Sequence, residues 1–162
     1  MAHTLIVIRH AKSDWDVPVS DHQRPLAKRG RRQAPPVGRW LAEHDLIPDV
    51  ALVSSAQRAR ETWEMVAAEI GASAPQPQIA EAAYTFSGAL LLDLVNTLPD
   101  ASAIAAVVGH NPAVEELVRT LTGQAASLPT AAIAVVDVPS WPAARRGSGR
   151  LVTSGRPADG TL

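Results

Sequence analysis

The chain reads as an α/β fold with a mostly parallel central sheet. Two observations predict this. Short runs rich in apolar and β-branched residues, such as Leu5-Ile6-Val7-Ile8 and Ile104 to Val108, alternate with longer stretches of helical pattern. These runs are apolar throughout, as strands buried on both faces must be. With 162 residues, the chain is long enough for one domain with a substantial core.

Each element follows in order. The first strand spans Thr4 to Arg9. A polar loop from Lys12 to Arg24 carries Asp14, Asp16 and Asp21. A helical stretch runs from Leu26 to His44, and Pro35-Pro36 within it predicts a late start or a kink. Val50 to Val53 is the second strand. Ser55 is the expected N-cap of a helix from Ala56 to about Ile70. Pro75 and Pro77 mark Gly71 to Gln78 as a loop, before a short extended piece at Ile79-Ala80.

Ala89 to Leu98 is apolar with helical spacing. Ile104 to Val108 reads as a buried strand ending on Gly109-His110-Asn111-Pro112. There a helix opens and continues to about Thr122, with Asn111 as N-cap and Pro112 in the first helical position. Glu115 and Glu116 complement its dipole. Ala132 to Val138 and Leu151 to Ser154 are further strands, the last at an edge. Residues 1–155 form one domain, and 156–162 are expected to be a loose tail.

Composition narrows the function. The net charge is -1, and no basic stripe with interleaved aromatics is present, so no nucleic-acid partner is expected. The chain has no cysteine, which excludes disulfides, cysteine-ligated zinc and a cysteine nucleophile. This suits a reducing cytoplasm, the expected location. No signal-peptide pattern opens the chain, and no apolar run approaches the ~18 residues of a membrane span. No membrane association is expected.

The chemistry concentrates at strand ends. The first strand delivers Arg9 and His10, the second leads to Arg58 one turn into its helix, and the strand at Ile104 delivers His110. Parallel neighbouring strands would bring all four to the carboxyl edge of the sheet, where such folds bind ligands. Arginine offers a fork of donors to phosphate, and a neutral imidazole can attack or carry a proton. Two arginines and two histidines around one point suit a dianionic phosphoryl group, with helix amino ends adding N–H donors.

Ile8-Arg9-His10-Ala11-Lys12-Ser13 resembles the Arg-His-Gly/Ala signature of the histidine phosphatase superfamily. Ser54-Ser55-Ala56-Gln57-Arg58-Ala59-Arg60-Glu61-Thr62 resembles its second-arginine motif, and Gly109-His110-Asn111-Pro112 its late histidine motif. Arg24-Pro25-Leu26-Ala27-Lys28-Arg29-Gly30 matches the loop-to-helix segment of small members. The short length and the Ala-Lys-Ser-Asp-Trp continuation look most like the SixA-type phosphohistidine phosphatases.

The resemblance implies a phosphoglycerate mutase-like three-layer sandwich with helices on both faces. It implies that His10 attacks phosphorus and is transiently phosphorylated, while Arg9, Arg58 and His110 hold the non-bridging oxygens. Such an enzyme needs no metal and no cofactor. Two nearby guanidinium groups should depress the pKa of His10 and keep it neutral. Ser13, Asp16 and Asn111 are candidate substrate-binding residues, although Asp16 stands where related mutases carry asparagine. Glu81 is the best positional match to the family's acid, with Asp14 and Asp16 as rivals. A phosphohistidine substrate demands less of an acid, because imidazole, with a conjugate-acid pKa near ~6.5, leaves more readily than an alkoxide.

The expected function is dephosphorylation of phosphohistidine on a protein. The alternatives are hydrolysis of a small phosphomonoester at the same site and a phosphate-binding module without turnover. Asp14-Trp15-Asp16-Val17 also resembles the paired aspartates of magnesium-dependent phosphatases, but Arg9 to Ser13 separates it from the strand tip. Trp15 is expected at the pocket mouth, Trp40 and Trp63 in the core, and Trp141 against a turn. His3, His22 and His44 lack ligand spacing and read as structural or surface residues. Arg60 and Glu61 read as a solvated helix surface or a local ion pair.

Overall fold

The computed structural model describes residues 3–162. Among these residues the sheet has six strands: β1 (His3–Arg9), β2 (Val50–Ser54), β3 (Pro77–Ala80), β4 (Ile104–Gly109), β5 (Ile133–Val138) and β6 (Arg150–Gly155). Their order is β3-β2-β4-β1-β5-β6. The pairings among β1 to β4 are parallel. β5 runs antiparallel to β1, and β6 antiparallel to β5. The predicted mostly parallel sheet is therefore present, with β6 at an edge.

Helices cover both faces: α1 (Lys28–Glu43) and α2 (Gln57–Ile70) on one, α3 (Gly88–Asn96) and α4 (Ala113–Thr122) on the other. The apolar runs explain why. Successive strand side chains point to opposite faces. Ile6 and Ile8 join Val37, Leu41, Trp63 and Val66 in one core. Leu5 and Val7 join Leu91, Val95, Val114 and Leu117 in the other. All four β1 residues are fully buried, each contributing about 1.5–3 kcal/mol.

α1 departs from expectation. It begins at Lys28 and runs through Pro35 and Pro36 rather than starting after them. The prolines remove N–H donors to the carbonyls of Arg31 and Arg32, two exposed residues whose carbonyls water can reach. The opposite face supplies the packing. Gly38 permits close contact with α2, since a Cβ there would stand 2.3 Å from the carbonyl oxygen of Val66.

Both predicted helix caps are corrected. Ala56, not Ser55, precedes α2, and the Ala56 N–H donates to Ser54 Oγ at 3.2 Å. Ser55 Oγ instead pairs with His22 Nε2 at 2.9 Å. α4 starts at Ala113, with Pro112 in the cap position. Asn111 does not cap it, because its amide donates to Glu115 Oε2 and the Leu128 carbonyl, both at 2.9 Å.

Residues 156–162, expected as a loose tail, are tied to the domain. Arg156 Nε donates to the Thr130 carbonyl at 2.8 Å, and Leu162 packs against the core under α1. Trp141 does more than cover a turn. It is fully buried, with Nε1 donating to the Ser102 carbonyl at 2.8 Å. Trp63 is a core residue as expected, and Trp40 is half-buried against the same core and stacks on His44.

Candidate active site

Register brings the functional strand ends level. Arg9 sits opposite Gly109 on β4, and Val53 of β2 sits opposite Val108. The residues following β1, β2 and β4 therefore emerge side by side. Arg9, His10, Arg58 and His110 line one cavity of about 220 Å³, together with Lys12, Ser13, Trp15, Asp21, Arg24, Phe86, Asn111 and Thr130. The His10 and His110 ring centroids are 5.0 Å apart.

The backbone around His10 is held on several sides. Its N–H donates to the Gly109 carbonyl at 3.0 Å. The next N–H, from Ala11, donates to Thr62 Oγ1 at 2.9 Å, and the Thr62 hydroxyl donates to the Arg58 carbonyl at 2.7 Å. Thr62 thus joins the first-strand motif to the helix carrying the second arginine. Further along, Ala27 N–H donates to the Lys12 carbonyl at 2.9 Å. Gly30 allows that approach, because a Cβ there would lie 2.1 Å from the Lys12 oxygen.

This frame fixes the His10 tautomer. Nδ1 lies 2.7 Å from the Ala11 carbonyl oxygen. A carbonyl only accepts, so neutral His10 carries its hydrogen on Nδ1 and keeps a lone pair on Nε2. Its pKa is held well below the usual imidazole value, first by burial and then by the nearby His110, Arg58 and Arg9. Desolvation outweighs the guanidinium charges of Arg58 and Arg9. His110 is also pushed down, to about 4, chiefly by burial and next by Arg58. Its Nε2 pairs with Ser54 Oγ at 2.7 Å, and its buried Nδ1 has no partner among the described residues.

The arginines surround one carboxylate. Asp21 accepts from Arg24 Nη2 through Oδ1 at 2.8 Å and from Arg58 Nη2 through Oδ2 at 3.0 Å. Tyr84 donates its hydroxyl to Oδ2 at 2.5 Å. The bond from Arg24, then those from Tyr84 and Arg58, holds the Asp21 carboxyl far below the usual carboxylate range. Arg24 Nη1 also donates to Ser13 Oγ. Arg9 Nη1 donates to the Leu128 carbonyl at 3.2 Å, which Asn111 also engages. Among the described residues, Asp21 is the one carboxylate lining a cavity that four cationic side chains also line.

Two expected site residues stand elsewhere. Glu81 is exposed and outside the lining, at the start of a one-turn 3-10 helix after the edge strand β3. That turn directs Tyr84, not Glu81, toward the pocket, with its ring centroid 5.5 Å from that of His110. Asp16 is also exposed and outside the lining. Its N–H closes a local turn onto Asp14 Oδ1 at 2.8 Å, which leaves its side chain in solvent. Ser13, Asn111 and Trp15 line the cavity as expected.

Asp21, Arg24 and Tyr84 were not singled out from the sequence as site residues. Arg24 stood in a recognised motif, and Asp21, three residues before it, carried no separate signal. Glu61 is likewise more than a surface group, since its Oε1 accepts the Leu26 N–H at 2.8 Å.

Cations and neutral imidazoles at the carboxyl edge of a doubly covered sheet define an α/β enzyme that handles phosphoryl groups. The chain belongs to the histidine phosphatase superfamily (branch 1), which its residues 5–85 match, and it is a phosphatase. An uncharacterized protein of Mycobacterium tuberculosis is 34% identical over 90% of this chain and 96% of its own. A Nakamurella multipartitia structure bearing the name phosphohistidine phosphatase SixA superposes with a TM-score of 0.85 and 26% identity, covering 97% of each chain. The protein histidine phosphatase SixA complexed with tungstate superposes at 0.84 with 24% identity, covering 96% of this chain and 98% of the other. The fold is the phosphoglycerate mutase-like three-layer sandwich that the motifs implied.

Proposed function

We propose that the protein removes phosphoryl groups from phosphohistidine on a protein, through transient phosphorylation of His10. The observation that carries this reading is a neutral His10 whose Nε2 lone pair is left free in a pocket of cationic donors. Nε2 attacks phosphorus in line, and the bond from phosphorus to the substrate imidazole breaks. Water then attacks the phosphorylated His10, releasing phosphate and restoring the imidazole. Two displacements replace one difficult hydrolysis.

Arg9, Arg58 and His110 stabilise the charge on the transferring group. The Ser54 oxygen accepts the Ala56 N–H. Its other partner is His110 Nε2 at 2.7 Å, and with the Ser54 hydroxyl donating there the neutral ring carries its hydrogen on Nδ1, ready for a phosphoryl oxygen. Ser13 and Asn111 act as positioning residues through Arg24 and the Leu128 carbonyl. The SixA names of two structural neighbours, and the tungstate held by one, support a histidine phosphatase reading.

Asp21 is favoured over Glu81 as the proton-handling carboxylate, because Asp21 lines the cavity. When phosphoryl oxygens engage Arg58 and Arg24, the interactions that keep Asp21 ionised weaken, and its proton affinity rises. This also supports a second reading, hydrolysis of small phosphomonoesters, whose alkoxide leaving groups require such an acid.

Rapid-quench labelling with a phosphohistidine substrate tests the proposal. An acid-labile, base-stable phosphoryl adduct on His10 is expected. Its disappearance in His10→Ala should accompany a loss of turnover of about 1,000-fold or more. Full turnover by His10→Ala would overturn the reading.

A further inference from the structure

Two large rings stand at the mouth of the anion pocket. Trp15 and Phe86 both line it, yet each is 70% exposed. A single exposed aromatic residue would need no explanation. These two come from separate segments and line one cavity.

Their supports are ordered. The guanidinium carbon of Arg24 lies 3.6 Å from the Trp15 ring centroid, a close cation–π contact. Arg24 is itself buried and held by Asp21 and Ser13. Asp14 N–H donates to the Pro25 carbonyl at 2.8 Å, and Asp16 N–H donates to Asp14 Oδ1, which pins the turn on both sides of Trp15. On the other segment, Ser87 N–H donates to Thr85 Oγ1 at 3.0 Å, and Gly88 N–H donates to Glu116 Oε1 at 2.9 Å. The indole therefore carries a buried cation against its ring while most of its surface remains open.

Three polar side chains of the lining are already engaged within the protein. Asp21 is engaged by Arg24, Arg58 and Tyr84, Ser13 by Arg24, and Thr130 Oγ1 by Arg156. A sugar or glycerol phosphate would bring hydroxyl groups to an aromatic rim. An N-phosphorylated imidazole brings a planar ring attached directly to phosphorus. His10, Trp15 and Phe86 line the same cavity, so a ring leaving from phosphorus at His10 departs through an opening that carries both aromatic side chains.

We propose that Trp15 and Phe86 form an aromatic clasp that selects phosphoryl donors whose leaving group is a planar imidazole ring. The clasp rests on the phosphohistidine reading above and supplies its specificity. Stacking on an aromatic side chain discriminates by ring shape rather than by hydrogen-bond pattern.

The test compares kcat/KM on a phosphohistidine peptide with kcat/KM on phosphoramidate, which has the same phosphorus–nitrogen bond and no ring. Wild-type protein should prefer the peptide. Trp15→Ala and Phe86→Ala should each lower the ratio of the two constants about ten-fold, mainly through KM for the peptide. Trp15→Phe should restore most of it. A ratio unchanged in both alanine variants, with both compounds still hydrolysed, would overturn the clasp and leave the phosphatase reading standing. Hydrolysis of neither compound by wild-type protein would overturn both.

Discussion

Asp21 Oδ2 lies 3.0 Å from Arg58 Nη2, across 37 residues of sequence. The carboxylate thus occupies a guanidinium donor that a phosphoryl group would use. On the function proposed above, a substrate competes with this internal anion, and Asp21 gains proton affinity as it loses that partner. Asp21→Asn should bind tungstate several-fold more tightly by calorimetry, because a competing negative charge is removed. Its kcat on an alkyl phosphate should fall at least ten-fold. Weaker tungstate binding by this variant would contradict the competition.

Thr62 bridges the two motif segments, accepting from Ala11 and donating to Arg58. Thr62→Val keeps the shape and removes both bonds. The Ala11 N–H then lies buried without its acceptor, and urea unfolding should show a loss of about 1–3 kcal/mol. Turnover should fall as well, because the segment bearing His10 loses its anchor. Wild-type stability in Thr62→Val would show that this bridge is dispensable.

At Gly30 the loop behind His10 meets α1 without room for a side chain. The obstruction is backbone rather than a flexible side chain, so relief requires moving the loop. Gly30→Ala should destabilise the fold by about 1–3 kcal/mol and lower kcat through displacement of Lys12 and its neighbours. Thermal melting and steady-state kinetics measure the two effects together.

Acid should weaken the folded state over a defined range. His110 has its folded pKa lowered from 6.5 to about 4, so the unfolded chain binds more protons between those values. Stability is then fully present above about pH 6.5 and is lost as pH falls through about 4. The loss amounts to about 3 kcal/mol from this group. His10, shifted in the same direction by burial, adds to it. Melting temperatures measured from pH 7.5 to 4 should decline, and His110→Gln should flatten the curve. A profile level from 6.5 to 4 would refute the neutral, buried state of both rings.

Much of this protein could be read from local pattern. A strand buried on both faces needs unbroken apolar residues, so β1, β2 and β4 were visible as runs, and their ends displayed Arg9, His10 and His110. The spacing of Arg58 after β2 was equally plain. Positions governed by long-range partners were less legible. Pro35 and Pro36 sit inside α1 because its exposed side tolerates free carbonyls while its buried side packs on α2. Ser55 turned to His22, and Asn111 to Glu115 and Leu128, instead of capping helices.

Chain order and residue type settled which chemical groups reach the edge of the sheet, because strand periodicity and helix spacing are short-range properties. Only folding in three dimensions chose the carboxylate that faces them. Glu81 and Asp16 were plausible by position, but an edge-strand turn and a local loop bond turned them outward. Asp21 entered the pocket because Arg58 and Tyr84, from two distant segments, converge with the neighbouring Arg24 on its two oxygens. No short stretch of sequence encodes such a convergence.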